Sequence, residues 1–208
     1  MKTIDASFEV LDCPGAEATL RKIERVGRVA YKSEDKITDT SATPFVKMLL
    51  TRGHESVLEH SSITVMFICD RGVSHEIVRH RLASFTQSST RYCNYSQGKF
   101  GSELTLIRPM FWGTDSGEYF TWANAGCCAE KMYMYLIERG AKPEQARSVL
   151  PNSLATEIVV TANLREWRHI LKLRTSKAAH PQMRELMCPL LMDLKQHIPV
   201  VFDDINPE

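Results

Sequence analysis

Three ionisable side chains stand in succession at Arg79, His80 and Arg81, and a dense polar run follows them: Gln87, Ser88, Ser89, Thr90 and Arg91. Guanidiniums bind oxyanions bidentately, and short hydroxyl side chains let backbone N–H groups approach phosphate oxygens, so this run has the chemistry of a phosphate cradle. The segment GVSHEIVRHRLASF predicts a helix beginning near Val73. On a helix adjacent side chains fan out by about 100° each, so Arg79, His80 and Arg81 cannot serve one partner from one face. Glu76 and Arg79, three apart, share a face. The competing reading is a solvated helix end that runs into a serine-rich loop.

A second anomaly lies near the C-terminus. Leu164, Trp167, Leu171 and Arg174 are spaced three, four and three apart, so an apolar stripe ends in an arginine. A buried guanidinium needs an anion or a row of acceptors, because an unpaired buried charge costs several kcal/mol. Alternatively Arg174 reaches solvent at the helix end, where positive charge suits the dipole.

Other chemistries fail on spacing. His54 and His60 in HESVLEH are six apart rather than the four of a zinc-binding HExxH, so no metal site is expected. Neither GxGxxG nor GxxxxGK[ST] occurs, so a nucleotide must be held by arginines rather than by a glycine device. Cys188 has no histidine at a local spacing that would activate it, which favours a structural cysteine.

The elements that position these residues belong to a chain of 208 residues with 43% hydrophobic content, enough for one well-packed domain over residues 1–208. Twenty-six basic and 25 acidic residues give a net charge of +1, so no global field draws the protein to nucleic acid or a membrane surface. Apolar stretches such as ITVMFIC are far shorter than the roughly 20 residues that span a bilayer, and MKTIDASFEV lacks a secretory core, which together imply a cytoplasmic protein. The six cysteines form no CxxC pair and are expected to be reduced and mostly buried.

Periodicity predicts a strand over 7–11, a helix over about 16–30, and a helix capped by Thr43 with Pro44 first and Gly53 after its end. SITVMFIC alternates as a strand, Ser88 to about Gly101 and the region of FWGTDSGEY read as loop, and a helix runs from about Thr121 to Arg139 before Gly140. Pro143 opens a short helix, TEIVVT reads as a strand, and Asn163 with Glu166 forms an Asn-x-x-Glu cap for a helix to about Arg174. A last amphipathic helix covers Gln182 to His197. Strands and helices mix without strict alternation, which favours an α+β fold.

Arg79-His80-Arg81, followed by seven residues and Ser89, resembles the signature of the flavin-dependent thymidylate synthases. GHESVLEH (53–60) is similar to that family's Gly-His-Glu segment, AR-x-VLP (146–151) to its nucleotide-binding arginine segment, and N-x-R with a downstream LR (163–174) to its C-terminal site. The matches come in the family's order over about residues 45–185. The resemblance implies a homotetramer of mixed α/β fold with an antiparallel sheet and long helices, its active sites assembled from several subunits and holding FAD. It implies conversion of dUMP to dTMP with 5,10-methylenetetrahydrofolate as carbon donor and NADPH as reductant.

Carried over by position, Ser56, Arg79, His80, Arg81, Gln87, Asn163, Arg165 and His169 would lie along FAD. Glu76, Arg79, Gln87, Ser88, Ser89, Arg91, Arg147 and Arg174 would surround dUMP, and His54 would sit near flavin and folate. Arg174 against the N3/O4 side of the uracil would stabilise its anionic form and so raise electron density at C5, with no cysteine adduct required. Two departures stand out: Glu76 and Gln87 exchange the carboxylate and amide of some relatives, and TSKAAHPQMRE differs around His180. The competing functions are a nucleic-acid or nucleotide-binding module that reads with the RHR segment, and an interaction protein whose arginines form a subunit interface. Near-zero net charge and the scatter of arginines weigh against the former.

Overall fold

The computed structural model describes residues 1–98 and 101–207. Its strands are β1 (Lys2–Ile4), β2 (Ser7–Asp12), β3 (Ser62–Asp70), β4 (Ala83–Gln87), β5 (Thr105–Ile107) and β6 (Ala155–Asn163). Its α-helices are α1 (Ala16–Val29), α2 (Ala42–Thr51), α3 (Arg71–Ile77), α4 (Gly117–Glu138), α5 (Pro143–Ala146), α6 (Leu164–Arg174) and α7 (Pro181–His197). The fold is mixed α/β with an antiparallel sheet. Four strands pair in the order β2-β3-β6-β4, and β1 pairs with β5 in parallel, Lys2 opposite Thr105 and Ile4 opposite Ile107. None of the helices among the described residues is long and apolar enough to cross a membrane.

The chain divides into two compact units: residues 1–7, 67–79 and 86–159, and residues 8–66, 80–85 and 160–208. In the first, Leu104, Leu106, Tyr133, Ala146 and Leu154 form a buried cluster. Gly126 lets α4 come close to it, because a Cβ there would lie 2.5 Å from Leu106 Cδ1. Asp70 caps α3 by accepting from Val73 N at 2.6 Å, and Ser116 caps α4 by accepting from Tyr119 N at 3.2 Å.

In the second unit α1 packs on α2 at Gly27, where a Cβ would meet the Phe45 ring at 2.8 Å. The buried Arg28 pairs with Glu24 at 2.6 Å, and Ser41 Oγ donates to the other oxygen of Glu24 at 3.0 Å. α6 buries Leu164, Trp167 and Leu171 completely, and the Trp167 indole donates to Ile63 O at 3.0 Å. The buried Arg168 holds the chain's end: it donates to Val201 O, pairs with Asp204 at 2.6 Å and reaches Glu55 at 3.2 Å. Burial opposes the Arg168 charge, but Asp204 and Glu55 outweigh it, and Arg168 in turn holds the Asp204 carboxyl below its usual range.

Most expected elements form close to their expected bounds, and four points need correction. The helix expected from Val73 through Phe85 stops at Ile77: Arg79 and Arg81 lie in a turn with His80 between them, and residues 83–87 form β4. The 3.6-residue repeat of Val73 and Ile77 has no apolar successor facing the core, since Leu82 is 75% exposed, while Ala83, Phe85 and Gln87 alternate in burial with exposed Ser84 and Thr86. Arg79, His80 and Arg81 therefore do not fan out around a helix.

Thr43 is not a cap, because α2 already begins at Ala42. The helix expected from Thr121 begins at Gly117, inside the expected FWGTDSGEY loop, because Ser116 supplies the cap. Of the cysteines only Cys69 is buried and Cys128 is exposed, although all six are free. The strands β1 and β5 were not foreseen, and of the expected loop from Ser88 to Gly101, Lys99 and Phe100 lie outside the described residues.

The Arg168 anchor is testable. Arg168→Met keeps the stem's apolar volume but leaves Val201 O and two partly exposed carboxylates without their donor. The expected loss is on the order of 2 kcal/mol, read as a fall in thermal midpoint of about 4–8 °C in a melting experiment, with the C-terminal segment becoming the first site of limited proteolysis. An unchanged midpoint and cleavage pattern would refute the anchor.

Candidate active site

α6 presents two stripes. Leu164, Trp167 and Leu171 face the core, while Arg165, His169 and Lys172, spaced four and three apart, are exposed along another face. That basic face lines a groove of about 650 Å³ together with Asn163 and the acidic Glu55 and Glu59 of the 3-10 turn Glu55–His60. Arg165 pairs with Glu59 at 2.6 Å, but both ends are about half exposed, so a ligand anion could replace the carboxylate with little desolvation. Asn163 is fixed as the α6 N-cap by accepting from Glu166 N at 2.8 Å. His54, the N-cap residue of the 3-10 turn, and Ser56 within it are exposed.

His80 is the buried member of the RHR run, 5% exposed, whereas Arg79 and Arg81 are exposed. Its ring meets three residues of α6. Arg174 Nε donates to His80 Nε2 at 3.0 Å, Glu166 Oε1 lies 3.6 Å from Nδ1, and His169 packs edge-on with ring centroids 5.8 Å apart. Burial, then the charge of Arg174, then His169 push the His80 pKa down to about 4, and Glu166, beyond hydrogen-bond length, does not reverse this. His80 is therefore neutral near pH 7 and accepts at Nε2. Arg174 lies at a half-buried position, and a neutral imidazole serves as an acceptor for its Nε.

The other candidates gather on β4 and the turn after it, in the first unit. Gln87 Nε2 donates to Ser74 Oγ at 2.8 Å and to Thr156 Oγ1 at 3.1 Å, and the Ser88 hydroxyl shares a 2.9 Å hydrogen bond with the same threonine. Ser88 N donates to Glu157 O at 2.9 Å, which ties this stretch to β6. Ser89 Oγ accepts from Arg91 N at 3.2 Å, and Ser89 O accepts from the Tyr92 and Cys93 amides, so the polar run is a compact turn. Arg91 is exposed, 3.7 Å from Glu144, and lies over the Tyr92 ring. Arg147 is exposed at the start of the 3-10 turn after α5, and Glu76 is half-buried on α3.

The structure thus brings together Asn163, Arg165 and His169 in one groove, His80 with Arg174, and Gln87 with Ser88 and Ser89. It leaves His54, Ser56, Arg79, Arg81 and Arg147 exposed. Sequence reasoning missed Thr156, which ties Gln87 to Ser88, and saw Glu166 only as half of a cap. It also missed the basic stripe of α6, although the spacing of Arg165, His169 and Lys172 carries that signal.

The match to known proteins is extensive. The family described as "Thymidylate synthase complementing protein" (Thy1) matches residues 14–200. Proteins named flavin-dependent thymidylate synthase align from Pyrococcus furiosus (33% identical, 87% of this chain and 72% of the relative), Corynebacterium aurimucosum (31%, 92% and 82%) and Geobacter sulfurreducens (33%, 83% and 73%). Among solved structures, the UMP/dUMP methylase PolB from Streptomyces cacaoi bound with 5-Br dUMP superimposes with a TM-score of 0.79 over 98% of this chain and 96% of its own; at 24% identity this speaks for the fold. With a match over nearly its whole length, and with the RHR run and the α6 arginines set in a fold of that kind, the chain belongs to the Thy1 family of thymidylate synthase complementing proteins.

Proposed function

We propose that the protein is a flavin-dependent thymidylate synthase of nucleotide biosynthesis. It methylates dUMP reductively to dTMP, with 5,10-methylenetetrahydrofolate as carbon donor and NADPH as reductant through FAD. Family membership supports the activity, and one geometric observation supports the mechanism: Arg174, at the end of an otherwise buried stripe, donates through Nε to a neutral buried histidine, which orients the guanidinium. We further propose one functional domain over residues 1–208, a homotetramer with sites at subunit interfaces, and a cytoplasmic location. The alternative of a nucleic-acid reader is not favoured, because the exposed arginines sit on separate segments of a nearly neutral chain.

The residues present fit a flavin. The α6 groove is about 650 Å³ and offers a guanidinium, an ammonium, an imidazole and a carboxamide, a donor set suited to a pyrophosphate and to ring carbonyls. Asn163, Arg165 and His169 with Ser56, His80, Arg81, Arg79 and Gln87 would hold FAD, with His54 toward flavin and folate. Bound there, FAD would supply the reducing equivalents that convert the transferred one-carbon unit to a methyl group. Ser88, Ser89, Arg91, Arg147, Arg79 and Glu76 would orient the nucleotide, and Gln87, whose amide hydrogens engage Ser74 and Thr156, would offer Oε1 as an acceptor.

Arg174 would stabilise negative charge spread over N3 and O4 of the uracil, which raises electron density at C5 where the carbon is added. His80 accepts the Nε hydrogen of Arg174 without taking up its charge, so this contact orients the guanidinium without itself neutralising it.

The function is tested by purifying the full chain, adding FAD, and following NADPH oxidation. Bound flavin absorbance, NADPH oxidation that accelerates with dUMP, and dTMP formed only when methylenetetrahydrofolate is present are expected; a preparation indifferent to FAD and dUMP would overturn the reading. Arg174→Ala should lower kcat by at least 100-fold, on the order of 3 kcal/mol of transition-state stabilisation, while the thermal midpoint stays within about 3 °C. A parallel loss of stability and activity would make Arg174 structural.

His80 also sets a pH dependence. The folded state refuses a proton that the unfolded chain accepts near pH 6.5, so this contribution to stability is complete above about 6.5 and is lost as pH falls toward 4. Chemical denaturation between pH 7.5 and 4.5 should show a steeper loss for the native sequence than for His80→Gln. Equal slopes would contradict a neutral His80 facing Arg174, His169 and Glu166.

A further inference from the structure

We infer that Glu166 is a positioning residue for Arg174, acting through the tautomer of His80. The inference rests on the reading of Arg174 as the group that faces the uracil, and it starts from a constraint on hydrogens. A guanidinium donates and never accepts, so the 3.0 Å contact from Arg174 Nε requires a lone pair on His80 Nε2. A neutral imidazole then carries its hydrogen on Nδ1. Which nitrogen carries it is decided by what the other face of the ring meets.

That other face meets Glu166. Its carboxylate oxygen lies 3.6 Å from Nδ1, with the two side chains 9% and 5% exposed. At this length the contact is a charge facing an N–H dipole rather than a full hydrogen bond, but in a buried setting a negative charge on the Nδ1 side still favours the tautomer with its hydrogen there. The position of the carboxylate is itself built. Asn163 caps α6 by accepting from Glu166 N at 2.8 Å, which fixes the turn that carries Glu166. Only this half of the expected Asn-x-x-Glu box forms; instead of reaching back to the Asn163 amide, the glutamate side chain extends to His80. Negative charge in the first turn also suits the helix dipole.

Glu166 and Arg174 are eight residues apart on α6, two turns and about 80° around its axis, close enough for one ring to reach both. The His80 ring spans them, and the edge of His169 contacts it from the turn between. Carboxylate, imidazole and guanidinium follow one another as negative, neutral and positive. Without the carboxylate, His80 is free to place its hydrogen on Nε2, where it would confront the Nε hydrogen of Arg174 and break the contact that orients Nε.

The test uses the full chain with its histidines labelled with 15N, loaded with FAD, and the His80 signals assigned by comparison with His80→Gln. The native protein is expected to show Nδ1 protonated and Nε2 bare between pH 6.5 and 8. In Glu166→Ala the Nε2-protonated form should grow in, with kcat falling about tenfold or more and KM for dUMP changing less than about twofold. Glu166→Gln, whose amide oxygen can still face the Nδ1 hydrogen, should recover most of both.

An Nε2-protonated His80 in the native protein overturns the inference without any variant. So does an unchanged tautomer in Glu166→Ala, whether or not stability falls, because the glutamate then acts structurally or not at all. A shifted tautomer with unchanged kcat likewise ends the positioning role. Full turnover in Arg174→Ala, by contrast, would take down the underlying reading of Arg174, and the imidazole spectrum is independent of that outcome.

Discussion

The hydrogen bond from Arg174 Nε to His80 Nε2 constrains the turn after α3, the end of α6 and the protonation of the ring between them. It forces one side of an imidazole to stay bare, and so forces the ring to be neutral and to carry its hydrogen on Nδ1. Neutrality in turn demands burial, which the turn after α3 achieves by setting His80 inward between two exposed arginines. A solvated histidine would titrate near pH 6.5 and repel its partner over part of the physiological range.

α6 makes that contact possible because it does three things at once. Its apolar stripe locks the helix to the core, with the Trp167 indole bonded to Ile63 O as a fixed register mark. Its cap at Asn163 sets where the first turn begins, and therefore where Glu166 and, two turns later, Arg174 emerge. Its third face carries Arg165, His169 and Lys172 along the groove. A shift of one residue in this helix would rotate all three faces by about 100° and dissolve the arrangement.

Where side chains obeyed one simple preference, the sequence was legible. α1, α6 and α7 have caps or clean repeats, and β3 and β6 alternate without interruption, with Ile63, Val65, Phe67 and Cys69 fully buried on one side of β3. Legibility failed between Val78 and Gln87, where a run that looks helical residue by residue is divided between a turn and a strand so that His80 can be buried and β4 can pair at the sheet's edge. It failed too for β1 and β5, whose three residues are too few to show a period. Arg174 and the polar run from Arg79 to Arg91 stood out by residue type and spacing, and the resemblance added His54, Ser56, Arg147, Arg165 and His169. What the residues alone could not reveal was Thr156 as the link between Gln87 and Ser88, and Glu166 as a neighbour of His80, since both depend on contacts between segments 68 or more positions apart.

The arginines of this chain sort by how their charge is met, and the sorting separates scaffold from site. Arg28 and Arg168 are buried and each faces carboxylates, Glu24 for the first, Asp204 and Glu55 for the second; removing any member strands a partner, so these arginines are bound to the fold. Arg79, Arg81, Arg91, Arg147 and Arg165 are exposed, where water or a solvated carboxylate meets the charge and an incoming oxyanion can displace it at small cost. Arg174 belongs to neither class. It is half-buried, and its Nε donates to an uncharged imidazole, a contact that fixes the group without itself neutralising the charge. A charge fixed in place at the edge of the core suits the stabilisation of a developing anion, because no reorganisation is then needed when the anion forms.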